Sequence, residues 1–364
     1  MNIRSQSEVA RAVMTAPIGP VGDFSLVDVG ASGGIADHWA VFGDALVAVG
    51  FDPLVTNMKK MAAAERRPRV AYEAAFVGCH DFDRLFPPEQ RTFFDPYHRA
   101  SSIRAEQVMR VDFVADHFNE GDELVWSDRH VTLDDRFSDS ASLDFLKVDT
   151  DGSDIQVLLG ADRLLREGAF LGAMIEMQFH GPSHDYANTF ANIDRYLRAR
   201  GFTLYDLDRQ RYTRAALPGL FAADIPAQTL AGQLLWGDAL YFRDLANPSY
   251  RELWHYDVTR ARLLKLVALL DLHALPDCAA ELLLAYPALT SDSERGVLLD
   301  MLVKSAGFEA TFKEHTERFE RRTREFFPAA YQTAAAASAP PQAPPPTRGL
   351  LWRGARKMKR LLGV

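Results

Sequence analysis

Short apolar runs at 24–29, 46–51, 70–77, 145–148 and 172–177 punctuate the first half of the chain. Each is too short for a helix, and most are rich in β-branched or aromatic residues, which predicts strands. Between several of them, at 57–66, 155–166 and 187–200, apolar residues recur at helical spacing. Strands alternating with helices predict a parallel sheet with right-handed crossovers. A later run at 234–242 predicts the strand that completes it. The expected fold class is α/β, a doubly wound, Rossmann-like, mostly parallel sheet. Residues 80–130 break the rhythm with Pro87-Pro88, several aromatics and Asn119-Glu120-Gly121-Asp122, and read as a strand-containing insertion.

After about residue 250 the pattern becomes helical throughout, at 258–272, 277–286, 293–304 and 309–326, with breaks at Pro276, Pro287 and Gly307. The expected division is a catalytic domain over 1–248 and an all-helical appendage over 249–332. Residues 333–347, almost wholly Ala, Pro, Ser and Gln, read as a linker that cannot build a core. In the tail, 348–364, a helix would place Leu351, Ala355, Met358 and Leu362 on one face and spread Arg353, Arg356, Lys357 and Arg360 over the rest. Such a basic amphipathic tail suits peripheral membrane contact or an acidic protein partner.

At 364 residues, 48% hydrophobic and 25% charged, the chain has the composition of an ordinary globular protein. Its start lacks the apolar core of a secretory signal, and no run approaches the ~18 apolar residues of a membrane span. Cys79 and Cys278 form no paired-cysteine motif, which fits a reducing compartment. A cytoplasmic location is expected, free or peripheral on the inner face of the membrane. The tail carries six cations and no acid, so the rest of the chain has a net charge of −14 against −8 for the whole. An acidic body argues against nucleic-acid binding, which needs a basic surface.

The sharpest local signal is Val27-Asp28-Val29-Gly30-Ala31-Ser32-Gly33-Gly34, a strand running into a glycine-rich turn. Such a turn lets the backbone approach a ligand at the mouth of an open sheet. The next strand ends at Asp52-Pro53, where a carboxylate can accept the ribose hydroxyls of an adenosine ligand. Packing alone also produces glycine-rich turns, and an acid before proline also starts plain turns. A pyrophosphate cofactor would prefer glycine in place of Ser32 and Ile35, and Asp28 would repel it. An acid there suits the sulfonium and ammonium of S-adenosylmethionine. The expected donor site is Asp28, Gly30, Ala31, Ser32, Gly33, Gly34 and Asp52.

With these residues the chain resembles the FkbM-type methyltransferase family. Asp28–Gly34 matches its opening signature and Phe51-Asp52-Pro53 its acid–proline after strand two. Its most specific feature is matched by Val131-Thr132-Leu133-Asp134-Asp135 and then Asp144-Phe145-Leu146-Lys147-Val148-Asp149-Thr150-Asp151-Gly152. Gly160-Ala161, Ile175-Glu176, Ala100-Ser101-Ser102-Ile103 and Arg200-Gly201-Phe202 also fall in place, so the resemblance runs over about 24–210. It implies a class I methyltransferase sheet and O-methylation, often of a sugar, polysaccharide or secondary-metabolite hydroxyl.

Methyl transfer to a hydroxyl is an in-line displacement in which the protein aligns the acceptor oxygen and takes its proton. The candidate catalytic residues are Asp149 and Asp151 after the fourth core strand, and Glu176 and His180 after the fifth. The same carboxylates suit magnesium as hard oxygen ligands. Bland readings stand beside these: Asp151-Gly152 as a helix start, His180 as a loop histidine, Asp134 and Asp135 as braces, Lys147 as a snorkelling or acid-paired lysine. Two rival functions are an NAD-dependent sugar-modifying enzyme and a non-catalytic methyltransferase-fold scaffold. The first lacks a Tyr-x-x-x-Lys motif, and the second leaves the acid cluster without a purpose.

Overall fold

The computed structural model describes residues 1–80, 125–139, 143–181, 183–212, 230 and 232–326. Most of the expected insertion, the stretch 100–103, the linker and the basic tail lie outside the described residues. In chain order the elements are α1 (Glu8–Met14), β1 (Phe24–Val29), a 3₁₀ segment (Asp37–Ala45), β2 (Leu46–Asp52), α2 (Val55–Ala64), β3 (Val70–Ala74), β4 (Phe76–Val77), β5 (His130–Val131) and α3 (Leu133–Arg136). Then come β6 (Phe145–Val148), α4 (Asp154–Leu159), α5 (Asp162–Arg166), β7 (Gly172–Gln178), α6 (Phe190–Arg198), β8 (Thr203–Leu207), β9 (Gln210–Tyr212) and β10 (Gln233–Phe242). The helices α7 (Pro248–Leu253), α8 (Arg260–Leu272), α9 (Pro276–Ala285), α10 (Asp292–Ser305) and α11 (Phe312–Phe326) follow.

The main sheet runs β3-β2-β1-β6-β7-β10-β8, with β9 also on β10. Strands β3 through β7 pair in parallel, whereas β10 is antiparallel to β7, β8 and β9. The expected mostly parallel sheet is therefore present. The order in which successive strands are added reverses between β1 and β6, and open α/β sheets bind ligands in the crevice at such a switch point.

Alternation along the strands gives the sheet two distinct faces. One buries Val27, Val29, Leu146, Val148, Ala173, Ile175, Met177, Ala239 and Tyr241 against α4, α5 and α6. On the other, Phe24 stacks on Phe42 with ring centroids 3.8 Å apart, and Trp39 and His273 close over Phe145. Here the C-terminal helices meet the sheet: Lys265 of α8 pairs with buried Asp144 at 2.9 Å, and Ser7 before α1 donates to Asp271 at 2.6 Å. The compact unit accordingly runs from Met1 to Glu309 and includes α7–α10; a second unit, Ala310–Val364, holds α11.

Several elements differ in detail from the apolar pattern. The run at 70–77 breaks at Ala75, and β4 leaves the main sheet to pair with β5. The helix expected over 155–166 divides into α4 and α5 at Gly160, where a Cβ would meet the Gly78 carbonyl oxygen at 1.8 Å. The last helix begins at Phe312 rather than 309, because Thr311 and Glu314 form a reciprocal cap at its start. Among the described residues no helix is long and apolar enough to cross a membrane.

Candidate functional site

The glycine-rich turn follows β1 directly at the switch point. Gly30 adopts a φ of +87° and donates to the Phe51 carbonyl at 2.8 Å, as Ala31 does at 2.9 Å. The turn closes with Gly34, whose N–H donates to the Ala31 carbonyl at 3.0 Å. Side chains then brace it from outside. Asn57 of α2, buried, donates through its amide to the Ser32 carbonyl. Tyr72 of β3 accepts from the Ile35 N–H at 3.0 Å and donates to Glu65, which Arg67 also holds. This arrangement brings Asp28, Gly30, Ala31, Ser32, Gly33 and Gly34 to one strand end. Asp52 stands at the neighbouring end of β2, with Oδ1 accepting from the Leu54 N–H at 2.8 Å.

The charged residues of four adjacent strands share one face. Asp28 is paired in register with Lys147, Lys147 with Met174, and Glu176 with Asp238. Residues two apart on a strand point the same way, so Asp149, Glu176 and Asp238 form a second row beside Asp28 and Lys147. Lys147 Nζ stands 3.3 Å from both Asp28 Oδ1 and Asp149 Oδ2. Burial alone would depress the Lys147 ammonium, but these two carboxylates hold it above the usual lysine range.

One lysine does not balance this many acids. Asp28 is only 2% exposed, and its Oδ1 has no hydrogen-bond donor because the Lys147 contact is an ion pair without hydrogen-bond geometry. Burial pushes the Asp28 carboxyl up to about 6 against the pull of Lys147. Burial, then the neighbouring Asp149, pushes Asp238 up to about 6 as well. Glu176 is driven well above the usual carboxylate range by burial first and then by Asp149, Asp154, Asp151 and Asp238. The site is thus an electronegative row, buried at Asp28, half-buried at Lys147, Glu176 and Asp238 and more open at Asp149, that favours a proton or a cationic ligand.

The loop after β6 has a different foundation from the one its sequence suggests. Asp151 is exposed with a φ of +53°, and Ser153 rather than Asp151 precedes α4. The structural acid is Asp154, which is 0% exposed. Its Oδ1 accepts from the Thr150 N–H at 2.9 Å and hydroxyl at 3.0 Å, and its Oδ2 from the Asn188 amide at 2.8 Å. Asn188 in turn accepts from the Ile155 N–H at 2.9 Å. Burial pushes Asp154 up to about 7. This network fixes the backbone that presents Asp149.

His180 lies beyond Glu176, at the start of the loop after β7. Its Nε2 donates to the Leu234 carbonyl at 2.6 Å, tying that loop to β10. The same nitrogen stands 3.0 Å from the side-chain amide nitrogen of Gln233, also on β10. Asp134 is a brace, since its two oxygens accept from the N–H groups of Arg163 and Leu164 at 2.8 and 3.0 Å in the first turn of α5. Asp135 pairs with His80 at 2.7 Å on the surface.

Sequence reasoning did not single out Asp238, Asp154, Asn188 or His38. An acid inside the apolar run 234–242 was the available signal for Asp238. His38, in the 3₁₀ segment, is pushed down to about 4 by burial, with Lys147 adding to the effect, and its Nε2 is buried without a partner. Among the described residues no group of three or more His, Cys, Asp or Glu is arranged to hold a metal ion.

Residues 127–204 match the family described as the methyltransferase FkbM domain, and the chain is a methyltransferase on that ground. The match covers less than the resemblance over 24–210 and contains Asp149, Asp151, Glu176 and His180, but not the glycine turn or Asp52. No curated protein matches the chain in sequence. Among solved structures it is similar to fibrillarin from Aeropyrum pernix in complex with natively bound S-adenosyl-L-methionine, at 12% identity, over 65% of this chain and 75% of that one, with a TM-score of 0.28. It is also similar to a TehB-like SAM-dependent methyltransferase from Corynebacterium glutamicum, at 10% identity, over 66% and 89% of the two chains, with a TM-score of 0.27. The methyltransferase assignment rests on the family match and not on these distant likenesses.

Proposed function

We propose that the chain is an S-adenosylmethionine-dependent O-methyltransferase acting on a hydroxyl of a sugar, glycan or related metabolite. The observation that carries this reading is the buried oxygen of Asp28, which has no hydrogen-bond donor and stands beside a glycine turn at the switch point. A cationic donor supplies the charge that this row lacks. A nicotinamide dinucleotide would bring a pyrophosphate toward an acid that repels it.

When bound, S-adenosylmethionine supplies an electrophilic methyl group on a cationic sulfur. The chain's residues would divide the remaining work. Gly30 to Gly34 would admit the donor backbone-on, Asp52 would accept its ribose hydroxyls, and Asp28 would face its positive charge. Asp149 and Glu176 would face the acceptor, orient its hydroxyl and receive its proton. An acid-rich row disfavours an anionic group beside the reacting oxygen, which fits a neutral sugar hydroxyl better than a sugar phosphate.

Calorimetry with S-adenosylmethionine, S-adenosylhomocysteine and NAD tests the donor. Binding of the first two and not of NAD is expected; binding of NAD alone would overturn the reading. A screen of neutral glycans and lipid-linked sugars with labelled donor then identifies the acceptor. Transfer restricted to a nitrogen or carbon nucleophile would overturn O-methylation.

A further inference from the structure

The short ribbon of β4 and β5 carries three near-parallel rings on its surface. Phe76 stands opposite His130 in the pairing, and their rings stack with centroids 5.0 Å apart and planes 12° from parallel. Phe76 also stacks on Trp126, at 6.2 Å and 16°. Trp126 is 50% exposed, Phe76 is 37% exposed, and His130 is exposed as well. A cluster of exposed rings, unlike a single one, marks a binding surface.

The rings are fixed to the rim of the candidate site. The Val55 N–H donates to the Val125 carbonyl at 2.8 Å, and the Ser127 N–H to the Pro53 carbonyl at 2.8 Å. These bonds clamp 125–127 against the chain immediately after Asp52, where Leu54 and Trp126 form an isolated antiparallel bridge. Two side chains tie the same segment to β3. The Ser127 hydroxyl donates to the Ala74 carbonyl at 2.9 Å, and Arg129 donates to Glu73 at 2.8 Å. The rings are thus held in place before any ligand arrives, which lowers the ordering cost of binding.

We propose that Trp126, Phe76 and His130 form a subsite that stacks a neutral sugar unit of the acceptor beside the unit being methylated. This rests on the functional reading above and gives its acceptor a second point of attachment. A sugar ring has a face of C–H groups, made slightly positive by the neighbouring oxygens, and a rim of hydroxyls. The C–H face suits the negative face of an aromatic ring. Asp128, exposed and lying between Trp126 and His130 in the chain, can accept from the hydroxyls. The patch fits this occupant better than a macromolecule. Phe76, Val125 and Trp126 are the large apolar side chains exposed within 70–80 and 125–139, far short of the ~800 Å² per partner of a stable protein interface. Nucleic acid bases would also stack, but a chain with a net charge of −14 outside its tail repels phosphates.

A printed array of neutral oligosaccharides of increasing length, probed with the full chain, tests the subsite. The wild type should bind longer glycans more tightly, and Trp126→Ala should lose about tenfold, the scale of one ring stack. Trp126→Phe keeps a ring and should recover part of the loss. A wild type that binds none of these glycans, or a Trp126→Ala protein that binds them equally well, overturns the proposal. Calorimetry separates acceptor from donor: the affinity of Trp126→Ala for S-adenosylhomocysteine should stay within about threefold of wild type. A larger loss would assign the indole to the donor's adenine and overturn the sugar subsite. With labelled donor, the KM of the wild type should fall as sugars are added to the acceptor. Trp126→Ala should remove that gain and keep kcat, and a length dependence that survives the substitution also overturns the subsite. Absence of donor binding in the wild type would defeat the functional reading instead, while the array would still decide the subsite.

Discussion

The main-chain carbonyl of Asp149 occupies the space where a side chain on Gly30 would begin: a Cβ placed there lies 1.6 Å from that oxygen. The glycine-rich turn and the loop presenting Asp149 are therefore in direct backbone contact, and neither can move without the other. The contact is closed by the Asp149 N–H, which donates to the Val29 carbonyl at 2.9 Å.

Gly30→Ala is expected to damage both sides of the site at once. Alanine would have to adopt a φ near +87° and displace a main-chain carbonyl. A loss of at least about 2 kcal/mol is expected from conformation and overpacking together. Urea denaturation measures the loss, and calorimetry should show donor binding gone even where the variant remains folded. A variant with wild-type stability and affinity would mean that the turn is not held as described.

Asp52→Asn separates the charge of this residue from its structural bond. The Asn oxygen can still accept from the Leu54 N–H, so the turn after β2 should persist and the melting temperature should hardly change. Donor affinity should fall by about 1–3 kcal/mol, the scale of a hydrogen bond to a charged group. Unchanged affinity would remove Asp52 from the donor site.

Much of this site was legible in the chain. The strand–turn Asp28 to Gly34, the acid after β2 and the acids after β6 and β7 could be read because parallel α/β folds bring strand ends together. Asp238 could not be placed, since its partner Glu176 depends on β10 running antiparallel, a direction that an apolar run does not encode. Asp154 was hidden behind Asp151: both are acids near a helix start, and only the positive φ of Asp151 shows which one turns away. The helices after residue 250 were legible as helices. Their attachment to the sheet was not, because it depends on long-range pairs such as Lys265 with Asp144.

The raised carboxyls give stability a definite pH dependence. Asp28 and Asp238 shift from 3.8 to about 6, and Asp154 from 3.8 to about 7. In the folded state these carboxyls hold more protons than in the unfolded state between about pH 4 and 7, so their contribution to stability falls as pH rises through that window. His38 and His273, pushed by burial from 6.5 down to about 4 and about 3, act in the opposite sense below about pH 6.5, as does Glu65, lowered from 4.5 to about 2 first by its bond from Arg67, below about pH 4.5. Urea unfolding of the ligand-free wild type and of Asp238→Asn at steps from pH 4 to 8 isolates one carboxyl: the stability of the wild type relative to the variant should fall as pH rises from about 4 to about 6. A difference that rises over this window would mean that Asp238 does not hold its proton as described.

His180→Gln distinguishes an anchor from a base. Glutamine places an amide N–H near the position of Nε2 and can keep the bond to the Leu234 carbonyl, while it lacks a titratable imidazole. If His180 serves only to tie the loop to β10, His180→Gln should retain stability and turnover, and His180→Ala should lose about 1 kcal/mol of stability. A large fall in turnover in a stable His180→Gln protein would instead give the imidazole a catalytic role.

The network beneath the β6 loop allows a rescue experiment. In Asp154→Asn the new amide nitrogen would face the Asn188 amide nitrogen, a contact between two donors. Turning Asn188 over does not help, because its oxygen already accepts from the Ile155 N–H at 2.9 Å. The single variant should therefore lose about 1–3 kcal/mol of stability. Exchanging the two residues repairs the pattern. In Asp154→Asn with Asn188→Asp, the new Asn keeps its oxygen toward Thr150 and donates to the new Asp, whose other oxygen accepts from Ile155. A double-mutant cycle by urea denaturation should give a coupling energy of at least about 1 kcal/mol in the stabilising direction. Additive losses would show that the hydrogen bonds between Asp154 and Asn188 do not hold the loop that carries Asp149.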